Sequence, residues 1–308
     1  MQQEIIGRIA AACEGKNIVD ALAALPGADF NTLLLEVFNR RAAALSAPGL
    51  LLQYKQNRFV KPADMNAVVF ATLQLATLQT LERMHFSPVM LSPVSPLGSC
   101  SVFGAVSQEK VMSATRGAEV LADATNALAL HIAELKQQGA IHEADLCAVQ
   151  RHVRTQPLPS KAFTPHFTIA CLTSAGMDRG SYRFECESLY KHAAAWAAVL
   201  RGVFGITQMR LRLIAREGTA DGNALLTAVS GFLAERLPEV SIEKIVNSPK
   251  NNYYTGIQFK VVIQVKEQEW EIVDGGFTTW TQQLLGNKKE RLLISGFGLE
   301  LLKRVIQE

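Results

Sequence analysis

Between Ile257 and Val265 apolar and polar residues alternate closely enough to fix both an element and the direction of its faces. Ile257, Phe259, Val261, Ile263 and Val265 fall on one side, while Gln258, Lys260 and Gln264 fall on the other. A period of two marks a strand with one face in a core. Run backwards, the same alternation puts Tyr254 and Gly256 beside Gln258 on the polar face. Gly256 has two readings. It either offers bare backbone on which a ligand can lie, or it marks a bulge in an ordinary strand. A polar hairpin follows, then Asp274-Gly275-Gly276, and near the end Gly296-Phe297-Gly298-Leu299-Glu300-Leu301-Leu302.

A chain of 308 residues with 48% hydrophobic and 19% charged residues can bury a substantial core. The formal charge of +3 is too small for a dedicated nucleic-acid binder. No apolar run reaches membrane length, and the start has no basic n-region before an apolar stretch, so a cytoplasmic protein is expected. The five cysteines (Cys13, Cys100, Cys147, Cys171 and Cys186) are widely spaced and read as reduced, mostly buried thiols. Cys147 with His152 and Cys186 with His192 lack paired zinc spacing, so no metal site is expected. With no Walker loop, Rossmann fingerprint or Gly-x-Ser-x-Gly motif, no catalytic residue is assigned.

Helical periodicity runs over residues 4 to 47 and is broken by Ala47-Pro48-Gly49. Residues 1 to 64 are thus expected to be a helical segment packed on a core formed by 65 to 308. A second helix is expected over 65 to 84, with Val68, Ala71, Leu75 and Leu78 on its apolar side. After a Ser, Gly and Pro-rich loop over 94 to 108, Thr115-Arg116-Gly117-Ala118-Glu119 leads into a helix carrying Leu121, Ala124, Leu128, Ile132 and Leu135. Near that helix start Glu119 suits the helix dipole. Residues 155 to 166, with Pro157, Pro159 and Pro165, read as a linker or surface arm. An apolar strand over Phe167 to Leu172 and a turn through Gly176 and Gly180 precede Ser181 to Glu187. There Arg183, Glu185 and Glu187 alternate with Tyr182, Phe184 and Cys186, predicting a second strand. A helix over Lys191 to Arg201, a basic strand over Met209 to Arg216 and an Asp221-capped helix over 221 to 237 complete the pattern.

Tyr253-Tyr254-Thr255-Gly256, then Gly275-Gly276, then Gly298-Leu299-Glu300-Leu301-Leu302 resemble the end of a class II aminoacyl-tRNA synthetase core, specifically the histidyl branch. The resemblance spans about residues 65 to 308. It implies an α+β fold with an antiparallel sheet flanked by helices, and a homodimer formed through the helix and strand over 65 to 93. It also implies a pocket for an amino-acid-like ligand. In that pocket Arg116 and Glu119 resemble the family's Arg-Pro-Glu-Gly-Thr loop, with Glu119 gripping the substrate ammonium. Arg183, Glu185 and Glu187 fall on the second strand of the motif 2 hairpin. Tyr253, Tyr254, Thr255, Gly256, Gln258, Gly275 and Gly276 line the wall, and Glu119, Glu187 and the Tyr254 hydroxyl are expected to converge.

Adenylate formation needs fixed cations at the phosphates, and losing one such group costs roughly two to three decades in rate. Here the motif 3 arginine position is Leu301. The motif 2 arginine falls within Leu172-Thr173-Ser174-Ala175, the histidyl arginine corresponds to Pro249, and Gly275-Gly276-Phe277-Thr278 replaces Gly-Gly-Arg-Tyr. The expectation is therefore a histidyl-like paralogue without tRNA charging and without an anticodon-binding domain. It resembles the regulatory subunit of ATP phosphoribosyltransferase, a binding or regulatory subunit with a partner enzyme subunit. The alternative is an ATP- and Mg-dependent carboxylate-activating ligase that holds phosphates through Arg116, Arg179, Arg183 or Arg291.

Overall fold

The computed structural model describes residues 2–15, 17–156, 164–218, 221–246 and 251–307. Along the chain, α1 (Gln2–Ala12), α2 (Ile18–Ala23), α3 (Gly27–Ala43), α4 (Ala47–Gln56) and α5 (Ala67–Arg83) precede β1 (Ser87–Pro88), β2 (Val94–Pro96) and β3 (Ala118–Val120). Then come α6 (Ala124–Gln137), β4 (Ala144–Val153), β5 (His166–Met177), α7 (Arg183–Phe204), β6 (Met209–Ala215), α8 (Gly222–Arg236) and β7 (Ser241–Ile245). The last part holds β8 (Thr255–Val265), β9 (Gln268–Thr278), α9 (Trp280–Leu285), β10 (Glu290–Gly298) and α10 (Leu299–Gln307).

Eight strands form one sheet in the order β1-β4-β5-β10-β9-β8-β6-β7, and β2 pairs with β3 apart from it. The fold is α+β, but the sheet is mixed and not purely antiparallel as expected. β1 lies parallel to β4, and β7 lies parallel to β6. A parallel pair needs a long crossover, and α8 supplies the one between β6 and β7.

The 257–265 pattern sits where its alternation places it. Ile257, Phe259 and Val261 of β8 are fully buried against α7 and α8. Gly256 has φ +66°, and the β8–β9 pairing slips between Thr255 and Gln258. This is a bulge at a left-handed residue. Its N–H donates to the Glu217 carbonyl (2.9 Å) and its carbonyl accepts from the Arg216 N–H (2.7 Å). Of the two readings, the bulge is the one observed, because the Gly256 backbone is already tied to the chain beyond β6.

The sheet separates two layers. Ala170 and Leu172 of β5 face α7 and α8, whereas Cys171 and Ala175 face α6 and α9. A polar chain crosses the buried side of α7. The Trp196 indole N–H donates to Ser295 Oγ (2.8 Å), Ser295 Oγ meets His192 Nδ1 (2.7 Å) and His192 Nε2 meets Ser174 Oγ (3.1 Å). Ser174 in turn donates to Asp145. The five side chains tie α7 to β4, β5 and β10.

Several expectations change. The segment 181–187 is not a strand. Ser181 and Tyr182 take positive φ (50° and 55°) and α7 starts at Arg183, so Arg183, Glu185 and Glu187 lie on a helix. Seven residues are too few to separate a period of two from 3.6. The hairpin is formed one strand earlier, by β4 and β5. Glu119 lies on strand β3 and not at a helix start; Asp123 caps α6, its Oδ1 accepting from the Thr125 N–H (2.9 Å). Ala47-Pro48-Gly49 opens α4, capped by Ser46, instead of ending a helix. On α5 the buried residues are Phe70, Thr77, Thr80 and Leu81, while Val68 (76% exposed) and Leu75 (56%) face outward. Helices α1 to α4 bury no residue. Asn31 Oδ1 accepts from the Arg116 N–H (2.7 Å), and Arg58 donates to the carbonyls of Thr155 (2.9 Å) and Gln156 (3.0 Å). All five cysteines are free, with Cys13 alone partly exposed.

Two stability predictions follow from this packing. A Cβ on Gly275 would stand 2.5 Å from Ser295 Cβ and 2.6 Å from the Phe259 ring. Gly275→Ala is expected to destabilise the fold by about 1–3 kcal/mol in urea denaturation, the usual range for an overpacked core. Burial holds the His192 imidazole down at about 3 and the His152 imidazole at about 4, against an ordinary 6.5. The unfolded chain therefore binds protons near pH 6.5 that the folded chain refuses. The stability this confers is complete above that pH and is lost as pH falls toward 4 and then 3. The slope is up to about 1.4 kcal/mol per pH unit for each histidine. Urea midpoints between pH 5 and 7.5 should show the fall, and His192→Asn should make it shallower.

Candidate functional site

On the α6 side of the sheet β9, β10, the start of α6 and the end of β4 enclose a cleft of about 450 Å³. Its floor is strand backbone where side chains are small. Gly276 must lack a Cβ, since one would stand 2.6 Å from the Tyr254 ring, and Gly296 likewise, at 2.9 Å from the Ala170 carbonyl. Into this floor the chain before β8 sets two tyrosines whose rings meet edge to face at 4.8 Å, with Trp280 packed at 5.5 Å on Tyr253.

Each tyrosine hydroxyl holds one carboxylate. Tyr253 donates to Asp123 Oδ2 (2.8 Å), and Tyr254 donates to Asp274 Oδ2 at a long 3.4 Å. Asp123 is fixed by its capping of α6, its Oδ1 also accepting from the Thr125 hydroxyl (2.7 Å). Asp274 on β9 accepts at Oδ1 from the Gln258 amide (2.5 Å), and Gln258 is oriented by the Arg216 guanidinium, whose Nε donates to its Oε1 (2.9 Å). The Asp274 carboxyl is open to the cleft. Desolvation by the surrounding protein raises its pKa above the ordinary value, against lowering by Gln258, Lys260 and Tyr254. Both phenols are raised well above 10, first by burial and then by the nearby carboxylates, Asp123 for Tyr253 and Asp274 for Tyr254. They are therefore neutral donors at any physiological pH. Lys110 and Arg154 line the same cleft. Arg154 is positioned by its Nε donating to the Ala122 carbonyl (3.1 Å) and by lying over the Phe167 ring. His152, beneath them, is buried, and its Nε2 accepts from the Ala124 N–H (2.8 Å), supporting the first turn of α6.

Of the residues expected from the sequence, Tyr253 and Tyr254 line the cleft, Gln258 reaches it through Asp274, and Gly276 makes room for Tyr254. Gly275 packs against Phe259 and Ser295. Thr255 and Gly256 belong to the bulge. The expected convergence of Glu119, Glu187 and Tyr254 does not occur. Glu119 is buried and accepts from the N–H groups of Gly98 (2.9 Å) and Cys100 (3.2 Å) and from the Gln108 amide (2.9 Å). It closes the 98–108 loop and does not line the cleft. Arg116, with φ +66°, lies on the turn before it. Arg183, Glu185 and Glu187 are on α7, in the layer across the sheet. Glu187 pairs with Arg179 (2.5 Å), and Glu185 pairs with Arg291 (3.1 Å), which also binds Asp178 (2.7 Å). The cations named as substitutes for phosphate binding are thus engaged elsewhere or lie outside the cleft. The Pro249 position lies outside the described residues. Asp123, Arg154 and Asp274 were missed as site residues. The first had a readable signal, Asp-x-Thr ahead of an apolar helical run. Arg154 lies beyond β4, whose residues show no clean alternation.

No family model and no curated protein matches the sequence. Among solved structures the chain is similar to S. aureus histidyl-tRNA synthetase, with TM-score 0.63 and 13% identity over 82% of this chain and 69% of that one. It is also similar to a Bacillus halodurans protein described as an ATP phosphoribosyltransferase regulatory subunit/histidyl-tRNA synthetase, with TM-score 0.59 and 10% identity over 81% and 83%. A histidine–tRNA ligase subunit from Alicyclobacillus acidocaldarius gives TM-score 0.55 and 12% identity over 80% and 97%. At such identities the likeness concerns the fold alone, and the fold is that of the class II aminoacyl-tRNA synthetases.

Proposed function

We propose that this chain binds an amino-acid-like small molecule in the cleft as a binding or regulatory subunit and does not charge tRNA. The observation that carries the reading is the placement of Asp123 and Asp274 on two tyrosine hydroxyls, with Arg154 and Lys110 lining the same cleft. An α-ammonium needs an anionic acceptor and an α-carboxylate needs a cation, and both stand on the walls. Asp123 takes the role that the sequence suggested for Glu119.

A triphosphate fits this cleft poorly. Asp123, Glu271 and Asp274 line it together, Leu301 stands at the expected arginine position, and Arg151 at the end of β4 is held by Glu300 (3.4 Å) and His166 (2.5 Å). ATP and Mg remain tied to the ligase alternative, for which Arg154 is, among the described residues, the one arginine on the cleft wall. Assembly as a homodimer is part of the same proposal, since Val68, Val69 and Leu75 turn an apolar face of α5 to solvent. A partner enzyme subunit is proposed on the strength of the regulatory-subunit likeness alone. Among the described residues no helix is long and apolar enough to cross a membrane.

Calorimetric titration with the amino acids and with ATP, separately, is the direct test. An amino acid should bind and ATP should not, and Asp123→Asn should weaken amino-acid binding by about 2–5 kcal/mol, the usual cost of removing one partner of a buried charge pair. Amino-acid-dependent exchange of pyrophosphate into ATP is expected to be absent; robust exchange would establish the ligase alternative instead. For assembly, sedimentation at micromolar concentration should give a dimer and Leu75→Asp a monomer; a wild-type monomer would remove that element.

A further inference from the structure

We infer that the Asp274 end of the cleft receives a cationic side-chain group, so that the ligand class is an amino acid with a basic side chain. The inference rests on the cleft proposed above as an amino-acid site and adds what that reading leaves open, the chemistry of the side chain.

The two tyrosines divide the acids between separate positions. Asp123 lies at the start of α6, with Arg154 and Lys110 on the same cleft, and together they satisfy the two charges of an amino-acid backbone. Asp274 lies on β9 beyond the Tyr254 ring, where the neighbouring cleft residue is Glu271. Glu271 is already paired, with Arg212 and Lys260. Asp274 is not paired in this way: among the described residues no Lys or Arg nitrogen lies within 4.0 Å of its carboxylate. Its protein partners are two neutral donors, Gln258 at 2.5 Å and Tyr254 at a long 3.4 Å. Arg216 holds the Gln258 oxygen, so the Gln258 amide must present its N–H₂ to Asp274 and cannot turn to neutralise it by other means. The carboxylate is open to the cleft, and the surrounding protein already disfavours its charged form by desolvation.

A ligand entering the cleft displaces the water that now solvates this group. A neutral side chain would leave the carboxylate desolvated with no cation of the described residues within 4.0 Å, its cross-strand neighbour Lys260 being held by Glu271, which is unfavourable. An acidic one would add repulsion. An ammonium, guanidinium or imidazolium would restore a charge-assisted hydrogen bond in a site of reduced dielectric. Two carboxylates would then meet an α-ammonium and a side-chain cation, and Arg154 and Lys110 would meet the α-carboxylate.

The test is calorimetry at pH 7.5 with lysine, ornithine, arginine, histidine, leucine and glutamate, on wild type, Asp274→Asn and Asp274→Glu, with thermal melts to confirm folding. A basic amino acid should bind at least tenfold more tightly than leucine. Asp274→Asn should shrink that preference at least tenfold, and Asp274→Glu should restore part of it. Leucine or glutamate bound as tightly as every basic amino acid would overturn the inference and leave the amino-acid site standing. So would a preference for basic ligands that survives Asp274→Asn. The wild-type ranking decides the matter even if the variants do not fold. Binding of none of the six would overturn both this inference and the proposed function.

Discussion

The contact between the Tyr254 ring and the bare backbone of Gly276 governs the functional face of this protein. A methyl group at position 276 would overlap the ring at 2.6 Å, so the tyrosine can lie flat in the sheet surface only because the neighbouring strand offers no side chain. With Tyr254 there, Tyr253 and Trp280 pack edge to face behind it, and two hydroxyls emerge at fixed points. Asp123 and Asp274 are then fixed by those hydroxyls. A cleft built this way is preorganised: its acids are held by neutral, burial-raised phenols that neither lose a proton nor compensate the negative charge.

The opposite face of the sheet supplies the rigidity. There the continuous apolar cluster around Trp196, Leu189 and Phe259 is crossed by one polar chain, running from Trp196 through Ser295 and His192 to Ser174 and Asp145. Each member is satisfied by the next, which is the condition under which a buried polar chain specifies a geometry instead of weakening it. It sets the register of α7 on β5 and β10, and β10 carries Ile294 and Gly296 to the cleft on its other side. Core and cleft thus share strands, and Ile272, Ser295 and Phe297 belong to both.

Fold and chemistry part company here in an instructive way. The class II synthetase fold is shared at 10–13% identity, while two positions where the sequence resemblance leads one to expect arginine hold Leu301 and Phe277, and Arg179 and Arg291 are paired outside the cleft. A fold is maintained by burial over many positions, each tolerant of similar residues, whereas stabilising a developing phosphate charge depends on a few guanidinium groups that no apolar residue can replace.

What the sequence determined by itself was whatever depends on local spacing. The period of two over 257–265 defined β8 and its buried face, Asp221 marked the cap of α8, and the order of Tyr253-Tyr254-Thr255-Gly256, Gly275-Gly276 and Gly298-Leu299-Glu300 pointed to the family of folds. Tertiary structure decided everything that depends on direction over longer distances. Seven residues from Ser181 to Glu187 fit a strand or a helix equally well, and positive φ angles at the first two of them settled on a helix from Arg183, which moved Arg183, Glu185 and Glu187 across the sheet. Glu119 and Asp123 are only four residues apart, yet the intervening strand β3 turns the first into the 98–108 loop and leaves the second to cap α6 and face the cleft. Val68 and Leu75 satisfied an apolar helical stripe but lie outside, because the partner against which α5 packs is chosen by Phe70 and Leu81. Periodicity shows that an apolar face exists; only packing shows what it meets.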